Sequence, residues 1–198
     1  MKVVVPMAEG FEEIEFVTVV DILRRAEVEV VTASLGERKV AGEGTKRGKG
    51  EERGIVPVEG SHKIKVVPDV SIDEIDPDEF DAVVLPGGLP GFVNLGNDER
   101  VLDLVRRMNG VGKHVAAICG GPSVLIKAGV VEGRRATINP AGRWALTDDQ
   151  YSDDRVVVSG KLITSKAVGT AMEFALKLVG EFVGEERMRK LAEEILAK

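Results

Sequence analysis

Three short runs in this chain, KVVVPM (2–7), AVVL within DAVVLPGG (81–88) and HVAAI (114–118), are apolar at almost every successive position. A strand with one wet face alternates apolar and polar residues. A strand that does not alternate needs cover on both faces. Helical segments follow these runs, from about Glu12 to Ala26, from about Asp98 to Asn109 and from about Gly121 to Ala128. A further strand is expected in VEVVTAS (28–34), and RVVVSGKLITS (155–165) reads as a hairpin with Ser159-Gly160 at its turn. The chain closes with helices across VGTAMEFALKLVGEFVG and EERMRKLAEEILAK. Strands alternating with helices in this way predict an α/β sandwich, a mostly parallel sheet with helices on both faces. In such sheets, sites gather just beyond the carboxyl ends of the strands.

At 198 residues the chain fits one domain, with 43% hydrophobic residues to fill its core. The stretch at about 36–60 is rich in Gly and charge, and reads as an exposed excursion or hairpin. Its GKG does not make a phosphate loop, because Glu43 stands where the first Gly belongs and Gly50 where Ser or Thr belongs. No apolar run approaches the ~20 residues that cross a bilayer. The opening MKVVVPMAEGFEEIE is too acidic and too soon interrupted for a signal peptide. A cytoplasmic protein with no membrane partner is expected. A net charge of -6 argues against nucleic acid, whose phosphates call for a basic face.

The single cysteine excludes an intramolecular disulfide and a cysteine-based zinc site, and His62 and His114 have no metal-ligand spacing. No metal and no cofactor are expected. Cys119 instead sits between the run HVAAI and the segment GGPSVL. A strand-turn-helix elbow can hold a nucleophile exposed above a sheet. Glycines at 120 and 121 permit the turn, and Pro122 suits the first turn of a helix. The N–H groups of that helix start favour thiolate. A buried structural cysteine is the competing reading. A second glycine turn ends the strand in VVLPGG, so the N–H of Gly88 and that of Gly120 are candidates for an oxyanion hole, against plain turn glycines.

For acid–base work the candidates are Glu9, Glu12, Glu13 and Glu15. Glu15 shares a helical face with Val19 and Ile22 that reads as buried. A carboxyl held there has a raised pKa and can stay protonated near neutrality. Ordinary cap and dipole roles suffice for Glu12 and Glu13.

Together AEGFEEIE, VVLPGG, AAICGGPSVL and TSKAVGTAMEFALKLV resemble the ThiJ/PfpI superfamily, nearest its Parkinsonism-associated deglycase branch, over nearly the whole chain apart from the excursion. The resemblance implies a flavodoxin-like three-layer sandwich, a homodimer, and a reactive elbow cysteine. Carried over, Cys119 is the nucleophile, Glu15 the protonated carboxyl beside it, and Gly88 and Gly120 the oxyanion donors. It further implies cofactor-free conversion of small 2-oxoaldehydes such as methylglyoxal to lactate (glyoxalase III), with protein deglycation also claimed for such members. Two departures stand out. Protease-like members carry His after the cysteine, where this chain has Gly120. Deglycase-like members often carry His in the segment matching TINPAG, where this chain has Asn139. Asn can orient a carbonyl but cannot exchange a proton near neutrality. His114, at the start of its strand, is expected to be a core or surface residue. The alternatives to the aldehyde enzyme are a redox-sensing stress protein with an oxidisable Cys119 and, with less support, an intracellular cysteine peptidase.

Overall fold

The computed structural model describes residues 1–36 and 56–197. Most of the predicted excursion therefore lies outside the described residues. In chain order the elements are β1 (Lys2–Met7), α1 (Glu13–Arg25), β2 (Glu29–Ser34), β3 (Val58–Glu59), β4 (Lys65–Val66), β5 (Val70–Ser71) and β6 (Ala82–Leu85). Then come α2 (Gly91–Asn97), α3 (Glu99–Gly110), β7 (His114–Ile118), α4 (Pro122–Lys127), β8 (Val156–Ser159), β9 (Leu162–Ser165), α5 (Ala171–Phe182) and α6 (Glu185–Glu194).

A seven-stranded sheet runs in the order β5-β2-β1-β6-β7-β9-β8. All its pairs are parallel except β8 with β9, the predicted hairpin. The fold is flavodoxin-like α/β. The absence of alternation in the central strands now has its cause. Val3, Val5, Ala82, Val84, Ala116 and Ile118 face a core with Phe16, Ile22, Phe174 and Leu178 of α1 and α5. Val4, Val83, Leu85, Val115 and Ala117 face the opposite core, with Val101, Val105 and Leu125 of α3 and α4. Both faces are dry, and each large side chain so buried contributes roughly 1.5–3 kcal/mol.

The helix boundaries follow local chemistry. Asp98 caps α3 by accepting a hydrogen bond from the Arg100 N–H at 3.0 Å, so the helix starts one residue after it. Helix α2 is an addition to the sequence-based expectation. Its segment GFVNLGN carries two glycines and follows Pro90, so propensity gives no warning of it. Burial of Leu95 and Gly96 against the rest of the structure holds it instead. No helix among the described residues is long and apolar enough to cross a membrane.

Candidate functional site

The carboxyl ends of β1, β6 and β7 converge, and the loops that leave them meet above the sheet. Cys119 directly follows β7 and has φ +63°. For an L-residue that conformation costs roughly 1–2 kcal/mol, so the surroundings have to enforce it. They do so on both sides of the residue: its N–H donates to the Ser165 carbonyl at 3.0 Å and its carbonyl accepts from the Asn139 N–H at 3.0 Å. The Gly121 N–H closes the turn onto the Ile118 carbonyl at 2.8 Å, and Pro122 opens α4.

Glu15 comes to the same point from α1. Glu12 caps that helix, its Oε2 accepting the Glu15 N–H at 2.7 Å, which accounts for one of the two acidic residues assigned to cap roles. The Glu15 side chain is fully buried. Its Oε2 accepts the Gly87 N–H at 3.0 Å, and its Oε1 is buried without a hydrogen-bond partner. Glu15 and Cys119 meet over Gly87: a Cβ added there would lie 2.5 Å from Oε2 and 3.1 Å from Sγ.

Burial, together with this proximity, sets the protonation of both groups. Burial lifts the Glu15 carboxyl to about 7, partly opposed by the hydrogen bond with Cys119. Burial, then the charge of Glu15 and its hydrogen bond, push the Cys119 thiol up to about 12. The turn alone suggested a thiolate. Desolvation and the charge of a neighbouring carboxylate work against it, and the helix that begins there is only six residues long. The pair accommodates one negative charge. When the proton sits on Glu15 the repulsion vanishes, and the Gly120 N–H and the Asn139 amide remain to stabilise charge on sulfur.

The sulfur opens onto a cleft of about 580 Å³ that also receives Gly88, Gly120 and Asn139. Gly88 has φ +91°, and neither its N–H nor that of Gly120 donates to a backbone oxygen among the described residues. Asn139 Nδ2 lies 3.6 Å from Sγ, while its Oδ1 accepts the Ala141 N–H at 3.0 Å. The amide is thus fixed with its donor toward sulfur. The five residues singled out from sequence are brought together; what they do in a reaction is taken up below.

The match to known proteins fits this geometry. Residues 1–181 match the DJ-1/PfpI family. The chain belongs to that family. It is 37% identical over 196 residues to Protein DJ-1 homolog A of Arabidopsis thaliana, covering 98% of this chain and 46% of the relative. It therefore spans less than half the length of that plant protein. It is 36% identical over 172 residues to Deglycase TK1284 of Thermococcus kodakarensis, covering 85% of this chain and 92% of the relative. It is 34% identical over 193 residues to the glutathione-independent glyoxalase DJR-1.2 of Caenorhabditis elegans, covering 96% of this chain and 93% of the relative. Among solved structures, oxidized Toxoplasma gondii DJ-1 superposes with a TM-score of 0.87 at 32% identity, covering 98% of this chain and 97% of that one. Drosophila melanogaster DJ-1beta superposes with a TM-score of 0.86 at 38% identity, covering 100% of this chain and 98% of that one.

Within this DJ-1/PfpI site, Gly120 has a steric reason. A Cβ there would lie 2.3 Å from Cδ1 of Phe92, a residue of α2 that lines the cleft. A histidine at 120 requires the Phe92 ring to move first.

Three features escaped the sequence reading. Phe92 and Trp144 line the cleft, and Trp144, the only tryptophan, is 84% exposed at its rim. His62 lines it too, brought there by the turn between β3 and β4. Only the glycine before Ser61-His62 hinted at a turn, and nothing in the spacing linked it to Cys119. Glu13, assigned a cap role, holds that turn instead: its Oε1 accepts the His62 N–H at 2.6 Å and its Oε2 faces His62 Nδ1 at 2.9 Å. The donor atoms of Glu12, Glu13 and His62 lie within 4.8 Å of one another, a grouping the linear spacing concealed. Three of the four carboxylate oxygens accept protein hydrogen bonds, so the cluster is a cap joined to an ion pair. Glu9 is turned away and accepts the Glu59 N–H at 3.2 Å. His114 is buried, its Nε2 at 3.2 Å from Lys161 Nζ and its ring against Phe182, and it does not reach the cleft.

Proposed function

We propose that this protein is a cofactor-independent enzyme that converts small 2-oxoaldehydes, methylglyoxal first among them, to 2-hydroxy acids. The observation that carries this reading is the contact between Cys119 on its left-handed elbow and the fully buried Glu15 beside it. The deglycase and glyoxalase names of two relatives support the same chemistry.

Sulfur adds to the aldehyde carbon as the thiol proton passes by way of the Glu15 carboxylate to the aldehyde oxygen, giving a neutral hemithioacetal and leaving Glu15 ionised again. The Gly88 and Gly120 N–H groups receive the oxygen that gains charge, and Asn139 Nδ2 steadies the sulfur. Removal of the former aldehyde hydrogen from carbon 1 and its replacement on carbon 2, through an enediol, turns the hemithioacetal into a 2-hydroxy thioester. Water then cleaves the carbon–sulfur bond, releasing the hydroxy acid and returning the thiol. The sequence is an internal redox shift plus hydrolysis, so atoms and electrons balance without an outside oxidant.

A second reading has its own support. A structural neighbour was solved in an oxidized form, and Cys119 opens onto a cleft. Peroxide would take its sulfur to sulfenic and then sulfinic acid, and the chain has no second cysteine to resolve the first product. The peptidase reading draws no such support, since Phe92 fills the space a histidine at 120 needs.

Association as a homodimer belongs to the same proposal; Ile14 and Val17, apolar and exposed on α1, offer surface for a second copy to cover. The enzymatic reading is tested by lactate release from methylglyoxal without glutathione, for wild type beside Cys119→Ala. Lactate from the wild type alone supports it. Equal turnover in both contradicts it. No lactate at all, with ready oxidation of Cys119 by mild peroxide, favours the redox reading.

A further inference from the structure

The aldehyde chemistry leaves one task unassigned. As Glu15 carries hydrogen from carbon 1 to carbon 2, one substrate oxygen has to gain a proton and the other has to lose one. Asn139 cannot exchange a proton near neutrality. Glu15 is committed to carrying hydrogen between the two carbons, with its Oε2 held by the Gly87 N–H.

His62 has the construction that this task requires. Its backbone N–H and its Nδ1 are both held by the buried carboxylate of Glu13, at 2.6 and 2.9 Å, so the ring is fixed in place. With Nδ1 facing Glu13 and Ser61 Oγ, Nε2 remains without a protein partner among the described residues. The side chain is 71% exposed, and it lines the same cleft as Cys119. It stands on the Gly88 side: Glu12, whose Oε1 is 3.9 Å from Nδ1, donates its backbone N–H to the Gly87 carbonyl at 3.1 Å. A carboxylate that orients one ring nitrogen and leaves the other for the substrate is the arrangement of an acid–base histidine.

We propose that His62, positioned by Glu13, is the catalytic residue that exchanges protons with the two substrate oxygens. This rests on the aldehyde-enzyme reading above. Protonated Nε2 gives its proton to the ketone oxygen as Glu15 takes hydrogen from carbon 1, forming the neutral enediol. The same nitrogen then takes the proton of the carbon 1 hydroxyl as Glu15 delivers hydrogen to carbon 2. His62 ends as it began, and the net change is a shift of one hydrogen from carbon 1 to carbon 2. The hydrogen bond to Glu13 and its negative charge, with a smaller push from Glu12, raise the imidazole above its ordinary 6.5, which favours the donor form. Glu13 itself, although burial works against its charge, is held below the usual carboxylate range by its bonds to His62 and Ile64.

The test is the pH profile of kcat/KM for lactate release from methylglyoxal, without glutathione, in wild type, His62→Gln, Glu13→Gln and Cys119→Ala. In His62→Gln, kcat/KM is expected to fall about 100-fold or more, with loss of the alkaline limb. Glu13→Gln should move that limb to lower pH, a shift that a merely structural role does not produce. Because His62 is exposed, His62→Ala should fold, and added imidazole should restore part of its rate. Wild-type activity with an unchanged rate and limb in His62→Gln overturns the role of His62 and leaves the aldehyde reading standing. No lactate from wild type, or equal lactate from Cys119→Ala, overturns the aldehyde reading and this role with it.

Discussion

Asn139 is tied to Cys119 at two points: its backbone N–H donates to the Cys119 carbonyl at 3.0 Å, and its Nδ2 lies 3.6 Å from Sγ. One residue thus fixes the elbow and solvates the sulfur. Asn139→Asp keeps the side-chain oxygen that accepts from Ala141 but replaces the donor at sulfur with an acceptor and a charge. The expected result is slower alkylation of Cys119 by iodoacetamide near neutral pH. A thiol raised by one more pKa unit reacts about tenfold more slowly through its thiolate fraction. The rate of adduct formation, followed by intact mass, measures it.

The space at Gly120 is filled by Phe92, and this gives a paired prediction. Gly120→Ala forces a methyl into contact with the ring and should cost roughly 1–3 kcal/mol of stability. Combining it with Phe92→Leu, which withdraws the ring, should recover part of that loss. Urea unfolding of the two single variants and the double variant gives the coupling directly.

Glu15 ties stability to pH. Its ordinary value is 4.5, and in the folded protein it is lifted to about 7 by burial. The native state therefore holds the proton more tightly than the unfolded chain. The stabilisation is fully present below 4.5 and is lost as pH rises through about 7, a change of about 3 kcal/mol. Glu15→Gln keeps an oxygen for the Gly87 N–H and removes the charge. Its stability relative to wild type should rise between mildly acidic and mildly alkaline pH, as read by denaturant midpoints at the two ends.

Trp144 offers an optical report, because it is the only tryptophan and stands exposed at the rim of the Cys119 cleft. Labelling Cys119 with N-ethylmaleimide fills that cleft with an apolar group. Tryptophan emission should shift to shorter wavelength on labelling, and the Cys119→Ala control should show no shift.

The fold was legible because central strands such as KVVVPM and HVAAI lack alternation, a pattern that both faces of a covered parallel sheet explain. The elbow was legible as well, since a cysteine between an apolar strand and Gly-Gly-Pro is a local pattern. Glu15 could be found from its helical face. His62 could not, because 57 positions and the whole strand order separate it from Cys119, and its tie to Glu13 exists only once β3 and β4 turn it back toward α1. The forces that raise the Cys119 thiol were hidden for a related reason. A turn shows the helix N-terminus, whereas the burial of the sulfur and the carboxylate beside it arise from packing. Helix α2 escaped because two glycines hid a segment that tertiary contacts hold.

The pH dependence of kcat/KM for lactate release from methylglyoxal, measured without glutathione for wild type, Glu15→Gln and Cys119→Ala, tests the central claim most directly. The account predicts wild-type activity that rises as Glu15 ionises through about 7, the form that takes the thiol proton. It predicts no measurable turnover in Cys119→Ala, and in Glu15→Gln a low rate without that acidic limb. Wild-type levels of lactate from Cys119→Ala, or an acidic limb that survives in Glu15→Gln, would contradict it.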